Sequence, residues 1–208
     1  LRGGTYTIEL KGNWLNNTDS FDPQTGTVKL SGGGVQQIQN TSNSESFYTL
    51  EIENTHPSSG ITIANGNAVN VTNELILTDG YILTSASKQL IMGANATIDL
   101  NAAGGLQDNS YVKGPFINTV ATTSQVTKVF PIGTAAGYHN AEVTVTLDAA
   151  TSTQFTAQYN DGDAMFLNSS SSLPDTLKDI ANVSNQGYWN ISKGSGAGVT
   201  NASVELFY

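Results

Sequence analysis

The spacing of short apolar runs between residues 47 and 100 constrains the fold of this chain more than any other feature. Central apolar residues follow one another at steps of 6, 6, 7, 8 and 8 residues: Ile63, Val69, Leu75, Ile82, Leu90 and Ile98. Such steps are too short for ordinary antiparallel strands joined by hairpins. Three steps together span 19, 21 or 23 residues, within the range of one solenoid repeat. The pattern predicts a parallel β-helix.

In a coil of this kind, alternate residues of each short strand point inward and stack on their neighbours. The predicted inward pairs are Ile61 and Ile63, Val69 and Val71, Leu75 and Leu77, Leu90 and Met92, and Ile98 and Leu100. Corners need residues that tolerate positive φ, and Asn65-Gly66, Asp79-Gly80 and Gly93 stand at the expected places. A left-handed hexapeptide helix would keep a strict six-residue step, so the drift in step length favours the right-handed form.

Upstream, the runs TYTIEL, TGTVKL and VQQIQ predict the first coils. After Gly104-Gly105 the runs lengthen and alternate, as in Val143, Val145 and Leu147, which predicts a β-sandwich-like module. We therefore expect an all-β chain with a right-handed parallel β-helix over residues 1–118 and a β-sandwich-like module over residues 119–208. The start at Leu1 without an initiator Met favours a preceding segment, and we expect the second module to be truncated at its C-terminal end.

Composition supports an all-β protein and excludes several functions. The chain has 21 Asn, 25 Thr, 20 Ser and 21 Gly, which disfavour helices, while 38% hydrophobic residues are too many for a disordered chain. A net charge of −9 provides no basic surface for nucleic acid. No run is apolar enough for membrane insertion. Abundant Asn and Thr with few Lys suit an extracellular or outer-surface location.

The residues that could carry catalysis are few. His56 and His139 lie in predicted loops without a nucleophile motif, so we predict no catalytic residue. Carboxylates are the better candidates for polysaccharide cleavage, and they occur as the pairs Glu51 and Glu53, and Asp99 and Asp108. A lyase on a β-helix would also need Lys or Arg on the same face. After residue 30 only Lys88 and Lys113 are available in the solenoid, and we expect no such cluster.

Three weaker patterns concern ligands. Asn160, Asp161 and Asp163 surround a glycine like the start of a calcium loop, although an Asx-rich turn that needs no metal is the favoured interpretation and no other cofactor is indicated. Aromatic residues could stack on sugar rings, the candidates being Trp14, Tyr138, Tyr188 and Trp189, with Trp189 favoured as a core residue. Ice binding would need regular outward Thr-x-Thr ladders, and we expect the pairs Thr5/Thr7, Thr25/Thr27 and Thr144/Thr146 not to share a solenoid period.

Several segments together resemble long cell-surface proteins of Bacteroidetes. They are GTYTIELKGNWLNN, TGTVKLSGGGVQQIQ, FYTLEIEN, ITIANGNAVNVTNELILTDGYIL, SYVKGPF, KVFPIGTAAGYHNAEVT and GYWNIS. The resemblance implies β-helical stretches before a β-sandwich, export by type IX secretion, and roles in adhesion, gliding or polysaccharide contact, with no catalytic set. This chain departs from the pattern at His139-Asn140, where members often have Arg-Pro. Thr176, in Asp175-Thr176-Leu177, resembles the O-glycosylation signal of this phylum.

These observations predict a non-enzymatic surface protein that acts as a structural stalk or adhesin segment and possesses edges able to assemble into filaments. The expected partners are neighbouring domains of a longer chain, further copies, and a polysaccharide or another surface. The alternative is a carbohydrate-binding module or a polysaccharide-degrading β-helix enzyme.

Overall fold

The chain folds into a β-solenoid of about five turns that continues into antiparallel strands. The computed structural model describes residues 1–18, 20–42, 44–64, 66–101, 107–162 and 187–207. Each full coil has three sides, because the short strands pair with the coils before and after them on three separate surfaces. We call these surfaces face A, face B and face C. No helix in the described ranges is long and apolar enough to cross a membrane.

Faces A and C share two long strands that bend around a corner of the coil. Strands β5 (Ser44–Glu53) and β7 (Ala68–Asp79) pair on face C through their first halves and on face A through their second halves. Face A also contains β1 (Thr7–Leu10), β3 (Thr27–Leu30) and β10 (Thr97–Asp99). Face C continues through β9 (Gln89–Met92) and β12 (Phe116–Val120), both parallel to their preceding neighbours.

Face B is a second sheet of short parallel strands. It contains β2 (Trp14–Asn16), β4 (Gln36–Asn40), β6 (Ile61–Ile63), β8 (Ile82–Leu83), β11 (Val112–Lys113) and β14 (Ile132–Thr134), with β15 (Gly137–Tyr138) antiparallel at its end. A three-residue 3-10 turn, Gln107–Asn109, precedes β11.

The antiparallel region is built onto the sheets of the solenoid. Strands β17 (Thr153–Asp161) and β18 (Gly187–Lys193) extend face C beyond β12. A three-stranded antiparallel sheet contains β13 (Val126–Phe130), β16 (Ala141–Leu147) and β19 (Val199–Leu206). Its buried residues share one hydrophobic core with β17, which makes the region sandwich-like. The predicted domain boundary, between residues 118 and 119, falls inside β12.

The inward ladders are the main source of the core. Most of the predicted inward residues are at most 1% exposed, and these are Ile61, Ile63, Val69, Val71, Leu75, Leu77, Leu90 and Met92. Burial of a Val, Leu or Ile side chain contributes about 1.5–3 kcal/mol, so stacked coils accumulate stability along the axis. Leu100 was predicted to face inward, and that prediction is wrong. It follows the last residue of β10 and is 41% exposed.

The coil length predicted from sequence is confirmed at two of three pairs. Val69 pairs with Leu90 and Leu75 pairs with Ile98. Ile82, however, pairs with Ile61 and not with Ile63, so that coil is two residues longer than predicted. The expectation for threonine was wrong for Thr7 and Thr27, which do share the solenoid register, whereas Thr144 and Thr146 lie in the antiparallel sheet.

The corner between faces A and B shows why particular residues stand there. Asn54 is 0% exposed, and its side-chain amide donates to Gln36 Oε1 at 2.8 Å and to the carbonyl of Gly34 at 2.9 Å. Gly80 on the next coil has a φ of 90°, and a Cβ at that position would collide with the backbone carbonyl of Asn54. Glycine therefore lets successive coils approach at this corner. The predicted glycine at Gly66 also has positive φ, whereas Asn65 lies outside the described residues.

Candidate functional site

The outer surface of face A is acidic. Residues that alternate with the buried ladder point outward there, and five of them are carboxylates, namely Glu9, Glu51, Glu53, Glu74 and Asp99. The in-register threonines Thr7, Thr27 and Thr49 form one column on this face. The next outward column runs through Glu9, Lys29 and Glu51 and is therefore charged. These described strands thus carry one column of threonines and not the paired columns that ice binding would need.

Lys29 joins the predicted carboxylate pair of face A. Its Nζ lies 2.9 Å from Glu51 Oε1 and also contacts Glu53 Oε2. The expectation that no Lys would share a solenoid face with these glutamates is therefore wrong. Hydrogen bonds that Lys29 donates to Glu53 and Glu51 raise the pKa of Lys29 well above its ordinary value. A lysine that is held protonated in this way cannot act as a general base near neutral pH.

The second predicted carboxylate pair occupies two different elements. Asp99 ends β10 on face A, where it pairs with Ile76. Asp108 lies in the 3-10 turn, and its backbone carbonyl accepts a hydrogen bond of 3.1 Å from Tyr81. Lys88 lies in a turn that bridges back to Ser85.

The outer surface of face C has a different chemistry. One row of outward residues crosses six strands in register, from the solenoid into the antiparallel extension: Ser46, Asn70, Ile91, Ile117, Thr156 and Ser192. Neighbouring outward positions are held by Gln89, Gln158, Asn160, Tyr188 and Asn190. Within the described residues, the strands of face C present no charged side chain at an outward position. This surface is an uncharged platform of amides and hydroxyls around a small aliphatic centre.

A groove runs along the corner between faces B and C where the solenoid meets the antiparallel strands, and we call it the junction groove. It consists of two adjoining depressions of about 420 and 400 Å³ that share Gly114 and Gln158. The first is lined by hydroxyl and amide side chains, among them Thr84, Ser85, Gln89 and Thr156, together with the apolar residues Ala86, Pro115 and Ile117. The second is lined by residues that include Lys113, Thr134, Asn160, Asp161 and Tyr188.

Both ionic groups of the junction groove have partners in the protein. Asp161 Oδ1 accepts a hydrogen bond of 2.8 Å from Thr134 Oγ1. Lys113 Nζ lies 3.3 Å from the ring centroid of Tyr81 and donates to the carbonyl of Ser58 at 3.3 Å. Burial lowers the pKa of Lys113. The groove is therefore suited to hydrogen bonding with a neutral ligand more than to proton transfer.

The calcium candidates lie beside this groove without forming a loop. Asn160 and Asp161 are successive residues of β17, so their side chains point to opposite faces of the sheet. Asn160 Oδ1 accepts a hydrogen bond of 2.9 Å from Gln158, while Asp163 lies outside the described residues. The part of the chain that the structure describes contains no group of three His, Cys, Asp or Glu residues able to hold a metal ion. Thr176 also lies outside the described residues. Calcium binding and O-glycosylation at Thr176 therefore stay predictions.

The aromatic candidates divide between core and surface. Trp14 is only 6% exposed and packs edge-on against Phe21 and Phe47, so its assignment as a sugar platform is wrong. Trp189 packs against Tyr159 at a centroid distance of 4.9 Å, as the core assignment predicted. Tyr188 pairs with Asn160 and lines the junction groove.

The two histidines make local contacts. His56 Nδ1 accepts a hydrogen bond of 3.1 Å from the backbone amide of Ser59. The ring of His139 stacks on Tyr159 at a centroid distance of 3.6 Å, and burial lowers the pKa of His139.

A buried carboxylate inside the solenoid was missed by the sequence reasoning. Glu45 is 4% exposed, and its Oε2 accepts hydrogen bonds from Trp14 Nε1 at 2.7 Å, Asn16 Nδ2 at 2.9 Å and Asn40 Nδ2 at 3.1 Å. Alternation could have revealed it, because Glu45 and the inward Phe47 stand two residues apart on one strand. These neutral donors satisfy the carboxylate without a cation, which indicates a structural role.

The fold and these surfaces define a β-solenoid protein with an antiparallel, sandwich-like extension. No family model, curated protein or solved structure matches the chain.

Proposed function

We propose that this chain is a non-enzymatic segment of an extracellular surface protein, serving as a structural stalk and as an adhesin through face C. The observation that carries the proposal is the row from Ser46 to Ser192, which crosses solenoid and extension without an outward charge. Stacked coils supply a rigid support for such a surface. The resemblance to Bacteroidetes surface proteins supports export by type IX secretion as part of the same proposal.

Neutral polysaccharide is the partner that the chemistry of face C favours. Sugar hydroxyls need both donors and acceptors, and each Asn or Gln amide offers both. Ile91 provides apolar surface for the face of a sugar ring, and Tyr188 provides an aromatic edge to the groove. The acidic face A would keep the assembly soluble while face C makes contact.

The test is retention of the purified chain on a panel of plant, algal and bacterial polysaccharides, with and without calcium, while released sugars are recorded. We expect retention without release. A Thr156→Ala, Gln158→Ala double variant should weaken retention roughly tenfold, the order expected for losing two hydrogen-bonding groups. Thr27→Ala on face A and Gln37→Ala on face B are matched controls that should behave as wild type. Equal losses in the controls, or no retention on any polysaccharide, would refute the adhesive role of face C.

A polysaccharide-degrading enzyme is the alternative, and the cluster of Lys29, Glu51 and Glu53 is the observation that favours it. Released oligosaccharide in the same assay would establish this class. A Glu51→Gln, Glu53→Gln double variant should then abolish release, whereas Glu9→Gln on the same face should leave it unchanged.

Further copies or neighbouring domains of a longer chain are the protein partners we propose. Strand β19 pairs only with β16 among the described residues and exposes Val199, Val204 and Leu206. Unpaired edges and apolar positions of this kind can accept a strand from another chain. A purified chain that stayed monomeric in light scattering at high concentration, and showed no fibres in electron microscopy, would exclude filament assembly.

A further inference from the structure

The most buried cation of the described residues lies in a cavity away from the junction groove. Lys128, in the middle of β13, is only 8% exposed. Its Nζ donates a hydrogen bond of 2.8 Å to the backbone carbonyl of Ala94, at the corner between β9 and β10. Lys128 thus connects the antiparallel sheet to the last regular coil of the solenoid.

The charge of Lys128 is incompletely compensated. An ammonium group carries three donors, and the Ala94 carbonyl takes one of them. Within the described part of the chain, no carboxylate lies within 4.0 Å of its Nζ, in contrast to Lys29 with its two glutamates. Burying a cation without a counter-charge is unfavourable, so this position would gain from an anion.

The space beside Lys128 is large enough for a small organic ligand. The cavity has a volume of about 450 Å³ and is lined by Lys128 and Ala94 together with residues of β10 and β13. Ile98 and Val126 give it an apolar side, and Asn95 and Thr97 give it amide and hydroxyl groups. A cation, an apolar wall and neutral polar groups together fit a sugar ring that carries a carboxylate.

We propose that this cavity binds a uronic acid residue, with the sugar carboxylate accepting hydrogen bonds from Lys128 Nζ. A single ammonium matches the single charge of a carboxylate. The net charge of −9 on the chain disfavours dianions such as phosphate more strongly than monoanions. The inference goes beyond the proposed function and does not rest on it, since face C and this cavity are different surfaces.

Calorimetric titration of the full chain with galacturonate tests the proposal, with methyl galactoside and inorganic phosphate as comparison ligands. We expect galacturonate to bind and the other two to bind at least tenfold more weakly. Lys128→Met should weaken galacturonate binding by roughly tenfold to a hundredfold, as expected for a hydrogen-bonded charge. Lys193→Met, at an exposed lysine of β18, is the matched control and should bind like wild type. Equal binding of methyl galactoside, or full binding by Lys128→Met, would overturn the proposal.

A second measurement avoids the possibility that Lys128→Met fails to fold. Nitrogen NMR of the lysine side chains in the wild-type chain reports the pKa of Lys128 with and without galacturonate. A carboxylate beside Nζ must raise that pKa, because the opposite charge favours the protonated form. An unchanged pKa at saturating galacturonate would refute the contact. Retention on neutral polysaccharide is unaffected by either result, so the two proposals fail separately.

Discussion

Face A and face C belong to one continuous sheet, yet their outer surfaces have opposite characters. Face A is acidic and holds the Lys29 ion pairs, whereas face C is free of outward charge in the described strands. The change occurs within single strands, since β5 places Ser44 and Ser46 on face C and Glu51 and Glu53 on face A. A solenoid can thus keep one interior and assign different tasks to its sides, because only alternate residues build the ladder.

The largest expected effect tests whether the shared core is packed equally well beneath face A and beneath face C. Leu75→Ala beneath face A and Leu90→Ala beneath face C each remove a fully buried side chain. Each should lower the free energy of unfolding by about 3–4 kcal/mol in chemical denaturation, because the packed coils cannot collapse into the space. Leu100→Ala, at an exposed leucine, is the control and should change it by less than about 0.5 kcal/mol. A large difference between the two core variants would contradict a single shared core.

The next effect concerns Glu45, a buried carboxylate on the inner side of face C. Glu45→Ala should cost about 2–3 kcal/mol, because it leaves the indole of Trp14 and the amides of Asn16 and Asn40 without their acceptor. Glu74→Ala, on the outside of face A, should cost less than about 0.5 kcal/mol. Denaturation curves for both variants measure the contrast. Similar losses in the free energy of unfolding for the two variants would mean that the hydrogen bonds to Glu45 do not stabilise the fold.

The smallest effect compares two lysines through the pH dependence of stability. The raised pKa of Lys29 means that its contribution to stability is present below its unfolded pKa of 10.5 and is lost as pH rises further. The lowered pKa of Lys128, caused by burial, has the opposite sign. Stability of the wild type relative to Lys128→Met should therefore rise as pH increases toward 10.5, while stability relative to Lys29→Met should stay flat in that range. Parallel curves for the two variants would contradict this difference in environment.

The sequence pattern predicted strand sides and strand pairing correctly where buried residues recur at a regular interval. Period-two alternation predicted which side of each strand is buried, and the coil length placed Val69 against Leu90 and Leu75 against Ile98. It could not distinguish Ile61 from Ile63 as the partner of Ile82, because a slip of two residues keeps every side chain on the same face. The inward assignment of Leu100 failed because β10 ends at Asp99 and no further strand position continues the ladder.

The pairing of charges on the surfaces could not be predicted from any local sequence pattern. Lys29 meets Glu51 and Glu53 only because the intervening corners set the register of β3 against β5. Lys128 reaches Ala94 across 34 residues, after the chain has left the solenoid and returned along β13. The sequence by itself determined an all-β solenoid with aliphatic ladders, because burial repeats with the coil. Tertiary structure alone decided which charges are paired, which lie beside a cavity and which face carries none on its described strands, because those relations follow from register between distant strands.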